Sequence, residues 1–206
     1  RLGGYDPYSN SKACAELAIS SYRNSFFNPK NINEHQQGIA AARSGNVIGG
    51  GDWSDNRLVP DIARALIEGE PIVIRNPNAV RPWQHVLDPL KGYLMLGAKL
   101  AQDPLKFSTG YNFGPTPEDE RNVQEMAELA IELWGEGTIE APIQSQNLHE
   151  AGLLKLAIDK ADKELEWTPS FDSAEAVEWT IDWYKNGRND AYNFTKKQID
   201  QFFQLG

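Results

Sequence analysis

Between Leu58 and Ile67 the apolar positions Leu58, Val59, Ile62, Ala63, Leu66 and Ile67 recur at helical spacing, and Gly69 follows to close the helix. Pro7 to Phe26 is a further expected helix, with Pro7 in a first turn where its missing N–H has no partner to lose. Gly38 to Ile48 reads as a buried strand passing into a loop. Pro71 to Arg75 reads as a short strand ending in the turn Asn76-Pro77-Asn78. Trp83 to Val86 is expected to be extended and to enter a helix running from about Pro89 to Leu100. Tyr111 to Phe113 reads as a strand stopped by Gly114-Pro115. Asn122 and Glu125 make a capping-box-like start for a helix through Trp134. Ile139 to Ile143 and Lys155 to Ile158 are expected as short strands. Asp172 followed by Glu175 opens a last helix carrying Val177, Ile181 and Tyr184. Helices alternating with single strands predict βαβ units and a mostly parallel sheet.

Composition narrows the class. A chain of 206 residues, 40% apolar and 24% charged, buries a real core in one or two domains. Its net charge of −9, with no compensating basic block, argues against non-specific binding to nucleic acid or to a membrane surface. An anionic ligand must therefore be met by local arginines. No apolar run approaches the ~20 residues of a membrane span. The lone Cys14 forbids an internal disulfide, fits a reducing, cytoplasmic setting, and reads as a packed small residue of the first helix. His35, His85 and His149 lie far apart without partners at ligand spacing, so no metal site is expected. Trp134, Trp167, Trp179 and Trp183 read mostly as core.

The candidate chemistry begins with Tyr8 and Lys12, four residues apart in Tyr8-Ser9-Asn10-Ser11-Lys12 and so on one helix face. An ammonium beside a phenol favours the phenolate, which gives a proton acceptor usable near neutral pH. A surface Tyr and Lys on an ordinary amphipathic helix would give the same spacing. The neighbours decide between the two. Tyr8 to Glu16 is followed by Arg43-Ser44-Gly45-Asn46-Val47-Ile48-Gly49 and then by Arg81-Pro82-Trp83-Gln84-His85-Val86-Leu87-Asp88. This ordered series resembles the extended short-chain dehydrogenase/reductase family, which contains the nucleotide-sugar dehydratases and epimerases. Further segments shared with the dehydratases are Gly3-Gly4-Tyr5-Asp6-Pro7, Phe26-Phe27-Asn28-Pro29, Gly50-Gly51-Asp52-Trp53 and Ile74-Arg75-Asn76-Pro77.

The resemblance implies an α/β fold: a Rossmann-like parallel sheet lacking its first half, beside a smaller α/β substrate-binding lobe. Residues 1–46 and 82–114 would belong to the NAD-binding part, and 47–81 and 115–206 to the nucleotide-sugar lobe. Family members begin with a strand, a glycine-rich turn and a helix that hold the NAD diphosphate. No such element occurs in the chain, and Gly49-Gly50-Gly51-Asp52 reads as a turn. The expectation is a carboxy-terminal portion of a longer enzyme, inactive alone, whose elimination groups lie upstream.

Site residues follow from the same likeness. Tyr8 would take the proton of a sugar 4-hydroxyl, and Lys12 would hold the nicotinamide ribose of NAD, with Ser44 beside the cofactor. Arg81, whose guanidinium fork suits a diphosphate, is the main substrate clamp. Asn46 would reach the sugar-diphosphate, although a buried loop amide explains it as well. Arg57 and Leu58 would flank the nucleotide. Ile72, Ile74 and Arg75 would lie against base and ribose, although β-branched residues there also suit an ordinary strand. Asn112 would add a contact from its strand end, and His149 and Glu150 lie in a loop placed to close over the nucleotide or on a solvated surface. Asn10 reads as structural, and Asp88 as a cap for the following helix. The activity implied is NAD-dependent dehydration of a nucleotide sugar, with CDP-glucose as the expected partner. Another nucleotide-sugar dehydratase, a 4-epimerase, or a non-catalytic nucleotide-sugar-binding module are the alternatives. A homodimer or tetramer through the first helix, using Ser20, Tyr22 and Phe26, is also implied.

Overall fold

Asp6 starts the first helix: its carboxylate accepts the Ser9 N–H at 3.0 Å, and Pro7 fills the first turn. The resulting α1 (Pro7–Phe26) has the expected bounds. The computed structural model describes residues 3–140 and 154–205; His149, Glu150 and the end of the strand expected over 139–143 lie outside them. Next come α2 (Ile32–His35), β1 (Ala41–Ser44), β2 (Asn46–Ile48), α3 (Leu58–Glu68), β3 (Ile72–Val73) and β4 (Val80–Arg81). They are followed by β5 (Trp83–His85), α4 (Leu87–Gln102), α5 (Pro104–Phe107), β6 (Gly110–Phe113), β7 (Arg121–Asn122) and α6 (Val123–Trp134). The chain continues through β8 (Ile139–Glu140), α7 (Asp159–Leu165), α8 (Ser173–Asp182) and α9 (Ala191–Phe202). Both capping boxes form with reciprocal bonds, Asn122 with Glu125 and Asp172 with Glu175.

Among the described residues the strands associate as four two-stranded ladders. β1–β6, β2–β5 and β3–β8 run parallel, while β4–β7 is antiparallel. At Gly45 the chain changes partner: its N–H bonds Phe113 O at the end of β6, and the next N–H, from Asn46, bonds Pro82 O beside β5. Two cores result. Ile62, Leu66, Met126, Val177 and Ile181 pack around Trp83 in one. Leu96, Phe107, Tyr111, Phe113, Leu165 and Trp167 form the other, with Phe113 and Trp167 edge to face at 4.9 Å.

β5 stands between these cores and is buried throughout. Gln84 Nε2 donates to Phe113 O at 2.8 Å, while His85 lies edge-on to Phe171 and Trp179. Asp88, three residues on, does not cap α4. Its fully buried carboxylate accepts the N–H groups of Ser170 at 2.6 Å and Phe171 at 3.4 Å, fastening the segment before α8 to the start of α4. Burial pushes that carboxyl above its ordinary range, and these bonds hold it back.

Three further sequence expectations change. Lys155 to Ile158 forms no strand. Cys14 is exposed, because Ala13 is the one buried residue of α1 among those described. The helix at α8 is not the last: a π-helical turn, Trp183–Gly187, carries the chain on to α9. The polar run Lys185 to Asp190 hid this continuation. Trp183 Nε1 donates to Thr195 Oγ1 and Gln198 Nε2 to Trp179 O, both at 2.8 Å, which docks α9.

Asp88→Asn, which places an amide N–H₂ against backbone donors, is expected to cost about 1–3 kcal/mol in urea unfolding; unchanged stability would show that the clamp carries no weight. A second outcome concerns His85, whose burial depresses its pKa to about 4. The unfolded chain takes up this proton near pH 6.5 and the native chain near pH 4, so stability falls as pH drops through that window. The loss amounts to about 3 kcal/mol at most. His85→Phe is expected to flatten that part of the stability–pH curve relative to the parent.

Candidate active site

An open cleft of about 1690 Å³ lies between α1, the β1–β2 junction, the start of α3 and the β3–β4 segment. Helical spacing delivers Tyr8 and Lys12 to it from one face of α1. Lys12 Nζ sits 5.2 Å from the centre of the Tyr8 ring, and Tyr8 is 72% exposed, open to a ligand. Asn10 turns away and accepts the Gly4 N–H at 3.3 Å, a structural role as expected.

Ser44 ends β1 and Asn46 begins β2, so the change of strand partner at Gly45 places both at the cleft wall. Arg57 and Leu58 enter from the beginning of α3, and the Arg57 guanidinium stands 3.6 Å from the Asp52 carboxylate. Ile72 and Ile74 line the cleft from the core, whereas Val73 between them is largely exposed. Arg75 is exposed and donates to Asn56 Oδ1 at 3.0 Å. Arg81 is buried at the cleft edge, with Nη1 donating to Val80 O at 2.9 Å. The sequence-derived site residues therefore converge on one cleft, with the exception of Asn112. That side chain accepts from Arg43 Nη1 at 3.2 Å and donates to Ala157 O at 3.1 Å, outside the cleft lining.

The cleft lining carries six basic side chains, Lys12, Arg43, Arg57, Arg64, Arg75 and Arg81, and six acidic ones, Glu16, Asp52, Asp55, Asp61, Glu68 and Glu70, so any positive charge offered to a ligand is local to individual arginines. Guanidinium forks suit a diphosphate, which the global field of this protein would repel.

Other groups at the site were not legible in the sequence. Arg64 donates to Trp53 O at 3.0 Å and Ser54 O at 3.2 Å and pairs with Asp55 and Asp61, fixing the loop that leads to Arg57. The Asp61–Arg64 spacing of three in a helix was the one available signal. Burial pushes the Asp52 carboxyl up, but bonds from Ser54 and the Arg57 and Arg64 charges outweigh it, leaving Asp52 below its ordinary range. Tyr184 donates to the Asp52 carbonyl, and burial together with the Asp52 charge pushes its pKa up to about 12, so it remains a donor.

The glycine cluster is a turn, as expected, with Gly51 at φ +82°. Trp183 lies directly over Gly50: a Cβ there would stand 2.0 Å from Trp183 Cγ. No diphosphate fits where that ring sits.

The model of the NAD dependent epimerase/dehydratase family matches residues 5–114, more than half of the chain. The chain belongs to this family. Among curated members, it is 47% identical over 184 residues to the CDP-glucose 4,6-dehydratase of Salmonella typhimurium, covering 89% of this chain and 51% of that protein. The chain spans about half the length of the curated relatives it matches. Solved family structures give the fold. The dTDP-glucose 4,6-dehydratase of Bacillus anthracis, in complex with NAD, superposes with a TM-score of 0.71 at 21% identity, covering 92% of this chain and 55% of that one. The UDP-glucuronic acid 4-epimerase of Bacillus cereus also gives 0.71, at 16% identity, over 87% of this chain and 52% of its own. The architecture is thus the Rossmann-like α/β fold of this family.

Gly50→Ala is expected to lower stability by about 1–3 kcal/mol, because a backbone-fixed methyl must displace the Trp183 ring. A thermal melt matching the parent would show that Trp183 yields freely.

Proposed function

We propose that this chain, together with the part of its relatives' length that it does not span, forms an NAD-dependent dehydratase. The complete enzyme converts CDP-glucose to CDP-4-keto-6-deoxyglucose, a step of deoxysugar synthesis for surface polysaccharide in the cytoplasm. The observation that carries the proposal is 47% identity to a CDP-glucose 4,6-dehydratase along 89% of the chain. The meeting of Tyr8, Lys12 and the arginines in one cleft supports it.

Tyr8 hydroxyl, Lys12 ammonium and Ser44 hydroxyl form a donor set that fits the nicotinamide ribose of NAD. The Gly49–Gly51 turn offers the cofactor diphosphate no cradle, since Trp183 occupies the space over Gly50. When bound, NAD supplies the acceptor and later the donor of one hydride. Tyr8 removes the proton of the 4-hydroxyl as C4 becomes a ketone, and Lys12 stabilises the phenolate. The ketone acidifies the C5 proton, so that the C6 hydroxyl leaves as water. Arg81 clamps the diphosphate and keeps the hexose at Tyr8, while Arg57 flanks the nucleotide and Arg75 lies against the base and ribose. Leu58, Ile72 and Ile74 give the base and ribose an apolar wall, and Asn46 reaches the sugar-diphosphate.

On this reading residues 1–46 and 82–114 complete the NAD-binding part, while 47–81 and 115–206 form the nucleotide-sugar lobe. Ser20 and the exposed Tyr22 and Phe26 of α1 would pair with the same helix of a second copy.

In the complete enzyme, CDP-glucose is expected to lose one water, with UDP- and dTDP-glucose much poorer substrates. Tyr8→Phe is expected to lower kcat about 10²–10⁴-fold without loss of stability, since the side chain is exposed. Conversion without change of mass would mean a 4-epimerase. No conversion of any of the three sugars would leave a binding module.

A further inference from the structure

Asn112, expected at the substrate, instead ends a polar chain that runs to the helix bearing Tyr8 and Lys12. Glu16 stands four residues beyond Lys12 on α1, one turn further along the face that reaches the cleft. Its two carboxylate oxygens accept from Arg43 Nε and Nη2, both at 2.6 Å, in a bidentate charge-assisted pair. Arg43 Nη1 donates to Asn112 Oδ1 at 3.2 Å, and Asn112 Nδ2 to Ala157 O at 3.1 Å. The connection thus passes from α1 to β1, from β1 to β6, and on to the segment before α7.

The arrangement is built into the backbone. The Arg43 guanidinium sits against Gly110, the first residue of β6 and two residues before Arg43's own register partner Asn112, and a Cβ at Gly110 would sit 2.6 Å from Arg43 Nη2. Gly110 has an ordinary backbone conformation, so the missing side chain serves the guanidinium and not a turn. The arginine bond also holds the Glu16 carboxyl below its ordinary range.

α1 has little else to hold it in register. Ala13 is its one buried residue among those described. At its far end Arg23 Nη1 donates to Ser108 O at 3.0 Å. Nearer the catalytic pair, Glu16–Arg43 is the side-chain link to the strands among the described residues.

We propose that Glu16, Arg43 and Asn112 are positioning residues that set where Tyr8 and Lys12 stand in the cleft, with Gly110 providing the seat for Arg43. This rests on Tyr8 being the base of the proposed reaction. A base displaced by about 1 Å loses up to about 10²-fold in rate, whereas binding by the cleft arginines is untouched. The signature is therefore a fall in kcat at constant KM.

The test uses the complete enzyme, with CDP-glucose turnover and thermal melting measured for Glu16→Gln, Arg43→Lys, Asn112→Ala and Gly110→Ala. Glu16→Gln and Gly110→Ala are each expected to lower kcat about tenfold or more, with KM within about twofold and melting unchanged. Arg43→Lys keeps the charge but loses the fork, and is expected to fall as far as Glu16→Gln. Asn112→Ala is expected to give a smaller loss in kcat. The Glu16→Gln/Gly110→Ala double variant is expected to be no slower than the worse single one, since both break one link. Parent-like kcat in Glu16→Gln and Gly110→Ala, while Tyr8→Phe is inactive, would overturn the positioning role. Losses in kcat that track lowered melting would also overturn it, as a merely structural effect. If Tyr8→Phe retains turnover, the assignment of the base itself falls.

Discussion

The strand Trp83–His85 has no solvent face, and the fold is arranged around that constraint. Its side chains take partners from both sides, although Gln84 Oε1 and His85 Nε2 are buried without a hydrogen-bond partner among the described residues. Trp83 enters the core of α3, α6 and α8, and its indole N–H reaches Arg121 O at 3.1 Å. Gln84 turns to the Phe113 carbonyl at the edge of the other core. His85 meets Phe171 and Trp179 and is kept neutral by burial. Asp88 then binds the Ser170–Phe171 backbone and holds α8 against the strand. With β5 fixed, Arg81 at one end of this segment and the β2 ladder beside it are fixed too, which sets the wall of the cleft.

The cleft combines rigid and loosely held parts. Ile72, Ile74 and Arg81 belong to packed structure, whereas Tyr8 and Lys12 ride on a helix with almost no buried surface. Polar links replace packing there, and a bidentate ion pair is a directional substitute for a core. The same helix leaves Leu17, Tyr22 and Phe26 on its exposed side.

Much of this was legible in the sequence where local rules dominate. The bounds of α1, the Gly69 cap of α3 and both capping boxes follow from residue type and spacing. The site residues brought to the cleft were legible because family motifs sit at strand ends and helix starts. Side-chain direction was not. Asn112 lies at a strand end but is captured by Arg43, and Asp88 looks like a cap but bonds a segment more than eighty residues away. α9 was missed because a run of polar residues interrupts the apolar period, while the tertiary contacts of Trp183 and Trp179 carry the chain through. Lys155 to Ile158 carries three apolar residues in succession, as a short buried strand would, yet it acquires no ladder partner.

The central proposal is that the complete enzyme built around this cleft oxidises a nucleotide sugar at C4 and returns the same hydride after water has left. The most direct measurement supplies the complete enzyme with CDP-glucose deuterated at C4 and locates the label in the product. The account requires the deuterium on C6 of the 4-keto-6-deoxy sugar. Label found again at C4 of an isomeric hexose, or retained in unchanged CDP-glucose, would contradict it.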